Sequence, residues 1–288
     1  MKIAIHPKLI ALLIGIFFLL NPDFALGFPL SKLSPVSVPG PEKLPEIIVI
    51  HNPEIVKAEK EALLILPGFG DNRKRRKAQK KFFANCGYDL YIPNYKNRKS
   101  IAATVQNLFD FYHDHDLVQY KKVHVFSYIL GSWVLNTYIN QYGKENIASI
   151  IFDRSPLQER APRVIRDRIP TIGKIMKGKV LIELSRMTYP PIPMQGIKIG
   201  IVVESKATKL IKMFRKTTLG YGPIDWKNLN FNQPYDDLLY TPLNHDQLYT
   251  RFEVIGEDLL HFFKAGTFTA NARRIPYDWD VFKAWIPE

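Results

Sequence analysis

An α/β fold with a mostly parallel central sheet is predicted by two features of this sequence. Short runs rich in Val and Ile, set between chain breakers, alternate with stretches of helical periodicity. Those runs are apolar along their whole length, as expected of strands buried on both faces. The length and ordinary apolar content, 288 residues and 46%, suit one large domain with a full core.

In chain order, Lys2 and Lys8 flank an apolar run from Leu9 to Leu20, followed by Ala25-Leu26-Gly27. The run is short for a membrane span, so residues 1–27 read as an export signal, with an uncleaved N-terminal anchor as the rival. Pro29, Pro35, Pro39, Pro41 and Pro45 make residues 28–45 an extended linker. The domain is expected over 46–288. The pattern predicts strands at 47–50, 62–66, 89–92, 123–126, 148–152, 198–203 and 238–240. Helices are predicted to start near Arg73, Ser100, Leu130, Arg163 and Phe252, with Ser100 as an N-cap. Two connections are long: 154–195 reads as a mostly helical cap, and 204–234 includes Gly220, Gly222 and Pro223. Both border the carboxyl ends of the strands, where open α/β sheets bind ligands. The single cysteine, Cys86, excludes an internal disulfide framework and is expected to be a buried structural thiol.

Chemistry concentrates around Val123–Trp133, which reads Val-His-Val-Phe-Ser-Tyr-Ile-Leu-Gly-Ser-Trp. This is a strand running through a tight turn into a helix. In α/β-hydrolases that junction carries G-x-S-x-G with the nucleophile on the turn. The equivalent residues here are Ser127-Tyr128-Ile129-Leu130-Gly131, and a branched alkyl group stands where the nucleophile belongs. Together with Leu66-Pro67-Gly68-Phe69-Gly70, Gly87-Tyr88-Asp89-Leu90-Tyr91-Ile92-Pro93, Ser155-Pro156-Leu157-Gln158 and Asn244-His245-Asp246, the sequence resembles bacterial lipase- and esterase-like α/β-hydrolases over about residues 60–270. The resemblance implies an α/β-hydrolase sheet with a helical insertion after the family's sixth strand. It also implies His245 at the catalytic histidine position, Asp225 as its acid with Asp236 and Asp237 as competitors, and backbone oxyanion donors at Phe69 and Leu130. Ile129 is the degenerate nucleophile position. A β-branched residue resists the positive φ of such an elbow, so the turn is expected to relax. Ser127 and Ser132 are the hydroxyls nearby that a displaced mechanism would need.

The formal charge is +13, which favours acidic partners or anionic surfaces. Arg73, Lys74, Arg75, Arg76 and Lys77, with Lys80 and Lys81, follow the Phe69 loop. They read either as a solvated face or as a contact for an anionic membrane surface. Arg154, Arg160, Arg163, Arg166 and Arg168 form a second basic group. Nucleic acid is not expected, because no nucleic-acid-binding motif accompanies the charge and the N-terminus reads as an export signal. His113-Asp114-His115-Asp116 reads as a polar helix terminus, since residues one and two apart do not share a helix face. Neither a P-loop nor a dinucleotide fingerprint is present, and no cofactor or metal is expected. Two functional classes follow. One is a non-catalytic protein binding an apolar or acyl-bearing ligand or a partner. The other is an esterase- or lipase-like hydrolase using a displaced serine with His245.

Overall fold

The structure, a computed structural model, describes residues 46–283 apart from 189, 194, 195, 228 and 230. The signal and linker expectations for 1–45 lie outside the described residues. Seven strands form one sheet in the order β1-β3-β2-β4-β5-β6-β7. They are β1 (Ile48–Ile50), β2 (Glu61–Leu66), β3 (Asp89–Ile92), β4 (Lys122–Ser127), β5 (Ile147–Arg154), β6 (Lys198–Lys206) and β7 (Asp237–Asn244). All neighbours are parallel except β1, which runs antiparallel to β3 and closes one edge.

The helices are α1 (Arg73–Phe83), α2 (Ile101–Asp114), α3 (Ile129–Tyr142), α4 (Ala161–Arg168), α5 (Pro170–Lys177), α6 (Lys179–Leu184), α7 (Lys209–Met213), α8 (Arg215–Gly220), α9 (His245–Leu248) and α10 (Phe252–Ala265). Strand residues alternate between two cores, as side chains on a pleated sheet must. In β2, Ala62, Leu64 and Leu66 meet α2 and α3 on one face. Leu63 and Ile65 meet α1 and α10 on the other. Side chains cap the starts of α1 and α2: Asn72 accepts from the Arg75 N–H and Ser100 from the Ala103 N–H.

The expected helical insertion is α4, α5 and α6, between β5 and β6. The differences from the sequence reading lie at the carboxyl ends of strands. β6 continues to Lys206 and β7 to Asn244, because pairing between them persists through Glu204–Thr241 and Lys206–Asn244. Apolar pattern alone ends these strands where polar side chains begin. Those extra residues carry the site. Cys86 is half-buried rather than fully buried, with its thiol 3.1 Å from the Phe82 carbonyl. No helix among the described residues is long and apolar enough to cross a membrane.

Candidate functional site

The elbow between β4 and α3 is built on close packing. Tyr128 is extended (φ −75°, ψ 162°) and Ile129 opens the helix. The Tyr128 N–H donates to the Leu66 carbonyl at 3.1 Å. A Cβ on Gly131 would lie 2.4 Å from that same oxygen, so the retained glycine of the pentapeptide lets α3 cross the end of β2. The non-glycine residues with positive φ among those described are Asp116, Glu145 and Asn232. Ile129 is not among them, so the turn has relaxed as a β-branched residue requires. Ser127 and Ser132 are fully buried, and their hydroxyls bond each other at 2.9 Å. Ser132 Oγ also lies 3.3 Å from the Ser127 and Tyr128 carbonyls. Both hydroxyls thus have partners within the elbow.

His245 opens α9, and its backbone is set by a capping box in which Asn244 and Gln247 bond reciprocally. The imidazole is 7% exposed and meets the Tyr128 and Tyr249 rings edge-on. Its Nδ1 lies 2.7 Å from Glu204 Oε1 and 2.8 Å from Asp153 Oδ2. Both carboxylates are fully buried at the carboxyl ends of β6 and β5. Asp225 is placed elsewhere: its Oδ1 accepts from the Lys227 N–H at 2.9 Å. The acid at the histidine comes from a strand end, not from the loop after it. A signal for it was present in the sequence, since Glu204 and Asp153 are acids that end unbroken apolar runs, where α/β sheets place ligand-facing groups.

Two carboxylates and one imidazole in a dry site must share protons. Burial raises the Glu204 carboxyl well above its ordinary range, and the neighbouring Asp153 raises it further. Burial lowers His245, but Glu204 and Asp153 outweigh it and leave the imidazole well above its ordinary value. These three are also the one His/Cys/Asp/Glu group among the described residues with donor atoms close enough to share a metal. Separations of 2.7 and 2.8 Å are hydrogen-bond distances, whereas tetrahedral zinc bonds of about 2.0–2.2 Å would hold ligands roughly 3.3 Å apart. The cluster as it stands is closed around protons.

The proton balance has a pH signature. Both groups titrate above their unfolded values, so the folded protein binds more protons than the unfolded chain. Stability from the raised histidine is full below its unfolded value and is lost as pH rises through the folded one; the raised glutamate acts in the same direction from a lower start. The cluster's contribution to stability is expected to fall as pH climbs through the ordinary carboxylate and imidazole ranges toward the raised folded values. Glu204→Gln, which retains hydrogen bonding without titrating, should flatten that slope. Thermal unfolding of both proteins across this range decides it, and parallel slopes would refute the shared-proton account.

The loop Pro67–Gly70 lies against the start of α3. A Cβ on Gly68 would sit 3.9 Å from the Leu130 nitrogen. Four successive carbonyls of this loop are each taken by a side chain: Pro67 by Tyr95 (2.6 Å), Gly68 by Lys96 (3.2 Å), Phe69 by Lys177 (3.0 Å) and Gly70 by Arg75 (2.5 Å). The Gly68 N–H donates to the Tyr249 hydroxyl at 2.9 Å. Leu130 is at the second position of α3, where an amide has no intrahelical acceptor.

The basic run does not form one surface. Arg73, Lys74 and Lys77 are exposed, but Arg76 is buried. Arg75 stacks on Tyr249 and pairs with Asp246 at 2.5 Å. The expectation of a five-residue anionic contact therefore fails for Arg75 and Arg76, whose charges are used within the fold.

No family model matches this sequence, and no curated protein does. Solved structures do match. The mature form of the Bacillus licheniformis lipase BlEst2 superposes with a TM-score of 0.55 at 13% identity, covering 77% of this chain and 98% of that one. Its propeptide form gives 0.54 at 14% identity, covering 81% and 56%. An α/β-hydrolase fold protein from Chitinophaga pinensis gives 0.48 at 11% identity, covering 78% and 98%. At such identities the likeness shows the fold, and the chain has the α/β-hydrolase fold.

Proposed function

We propose that this protein is a non-catalytic member of the α/β-hydrolase fold that binds an apolar or acyl-bearing ligand at the former acyl site. The observation that carries this reading is the elbow itself. Ile129 opens α3 in the nucleophile position, and the two neighbouring hydroxyls are bonded to each other. An alkyl group cannot attack a carbonyl, yet it suits contact with an acyl chain. Loss of the nucleophile removes about 10⁶ in kcat from a well-studied serine hydrolase.

The Glu204–His245 pair at 2.7 Å supports the rival reading, an esterase-like enzyme using a displaced serine, because such a pair is the acid–base half of a triad. Hydrolysis of p-nitrophenyl butyrate by the purified protein, beside a His245→Ala variant, separates the two. Turnover no faster than buffer, and equal in both proteins, is the expected result. Turnover that His245→Ala abolishes would overturn the non-catalytic reading.

A further inference from the structure

We propose that the outer face of the helical cap is a docking surface for an anionic lipid bilayer, with α5 as the element that enters it. This goes beyond the ligand reading above and holds whether or not the elbow is catalytic.

The orientation of α5 is fixed by its glycine. A Cβ on Gly173 would meet Ile165 Cγ2 at 2.3 Å and Leu181 Cδ2 at 3.0 Å, so this side of the helix is pressed against α4 and α6. Ile172, Ile175 and Met176 are 38%, 43% and 56% exposed. Their spacing of three and four residues places them on one helix face. Single exposed apolar residues are ordinary, but three side by side on a two-turn helix form a patch. Lys174 is exposed beside them.

A second exposed apolar group lies elsewhere in the cap. The Arg168 Nε donates to Thr217 Oγ1 at 2.6 Å, tying α4 to α8. On α7 and α8, Met213 and Leu219 are 48% and 40% exposed, among the exposed Lys209, Lys212 and Lys216, while Arg215 lies 3.7 Å from Asp280. Residues 161–184 and 209–220 together hold ten Lys and Arg against two acids, Asp167 and Glu183. Both acids are occupied, Asp167 by Arg166 and Tyr221, and Glu183 by the Ile101 N–H.

Charge complementarity names the occupant. Apolar side chains flanked by cations suit insertion below a layer of anionic headgroups, to which each nearby Lys or Arg adds attraction. A nucleic acid would use the cations but gain nothing from outward Ile and Met.

The test is flotation of the full chain with phosphatidylcholine vesicles, with and without phosphatidylglycerol. Binding is expected only with phosphatidylglycerol, and it should weaken as salt rises. Ile175→Asp with Met176→Asp should lower the bound fraction by about tenfold or more, as should Lys174→Glu with Lys212→Glu and Lys216→Glu. Charge reversal of Arg73, Lys74 and Lys77 on α1 should leave it unchanged. All these side chains are exposed, so their variants keep the fold, and circular dichroism checks that. Absence of binding, equal binding to neutral vesicles, retention by the cap variants, or loss through the α1 variant would each overturn the proposal. The ester assay reads the elbow separately.

Discussion

Replacing Ile129 with serine is expected to confer His245-dependent ester hydrolysis above the wild-type level, if the non-catalytic reading proposed above holds. The reason is the state of everything around the missing hydroxyl. His245 keeps an acid at 2.7 Å on its Nδ1, which orients an imidazole for proton transfer. On the proposed reading, the amides of Phe69 and Leu130 would be the donors to an oxyanion. The gain cannot reach the full 10⁶ or so that a nucleophile is worth, because the elbow has relaxed and the new hydroxyl would start from a helical φ. An increase of about 10- to 1,000-fold over the wild-type protein is the expected range. A fluorophosphonate should label the introduced serine, and adding His245→Ala should return turnover to baseline. A folded variant with neither turnover nor label would show that the loop or the acid has drifted along with the nucleophile.

The sheet was legible because buried parallel strands are written as unbroken apolar runs; β3 was read at 89–92, where it lies. Helix starts were legible near Arg73 and at Ser100, where side chains cap them, and also near Leu130 and Phe252, where none does. What apolar pattern could not show is where a strand ends once polar side chains follow. Glu204 belongs to β6 through pairing with Thr241, an interaction about forty residues distant in sequence, and the acid was therefore sought in the loop at Asp225. The short helices α5 and α6 were legible only as part of a helical cap and α7 and α8 only as a long connection, because elements of five to eight residues carry too few turns to declare a period. The nucleophile position was the opposite case. A strand, a tight turn and a glycine needed for close approach are all local, so the β4–α3 junction with Ile129 at the start of its helix could be read before any tertiary contact was known.

Arg76→Ala is expected to cost about 3–5 kcal/mol of stability, although the residue sits in a run that reads as a solvated basic face. Helical period separates the run. Arg76 shares an inward stripe with Gln79 and Phe83, while Arg73, Lys74 and Lys77 face out. Its guanidinium donates to both Asp71 oxygens, at 3.1 Å from Nε and 2.7 Å from Nη2. It also reaches the carbonyls of Glu46 (2.7 Å), Ile92 (3.0 Å) and Pro93 (2.7 Å). One planar fork thus ties the end of β3, the chain before β1 and the carboxylate that closes the Pro67–Gly70 loop. Truncation leaves three carbonyls short of a donor and Asp71 with Lys96 at 2.7 Å as its remaining ion pair, which is the costly way to break a buried pair. For a domain of this size, each kcal/mol lowers Tm by roughly 2–4 °C, so a fall of about 6–20 °C should appear in thermal unfolding. Arg73→Ala on the exposed face should stay within about 0.5 kcal/mol of wild type. Lysine at position 76 would restore the charge without the fork and recover only part of the loss. If Arg76→Ala and Arg73→Ala melt together, the guanidinium is solvated, and the loop beneath the elbow is held by Tyr95, Lys96 and Lys177 without it.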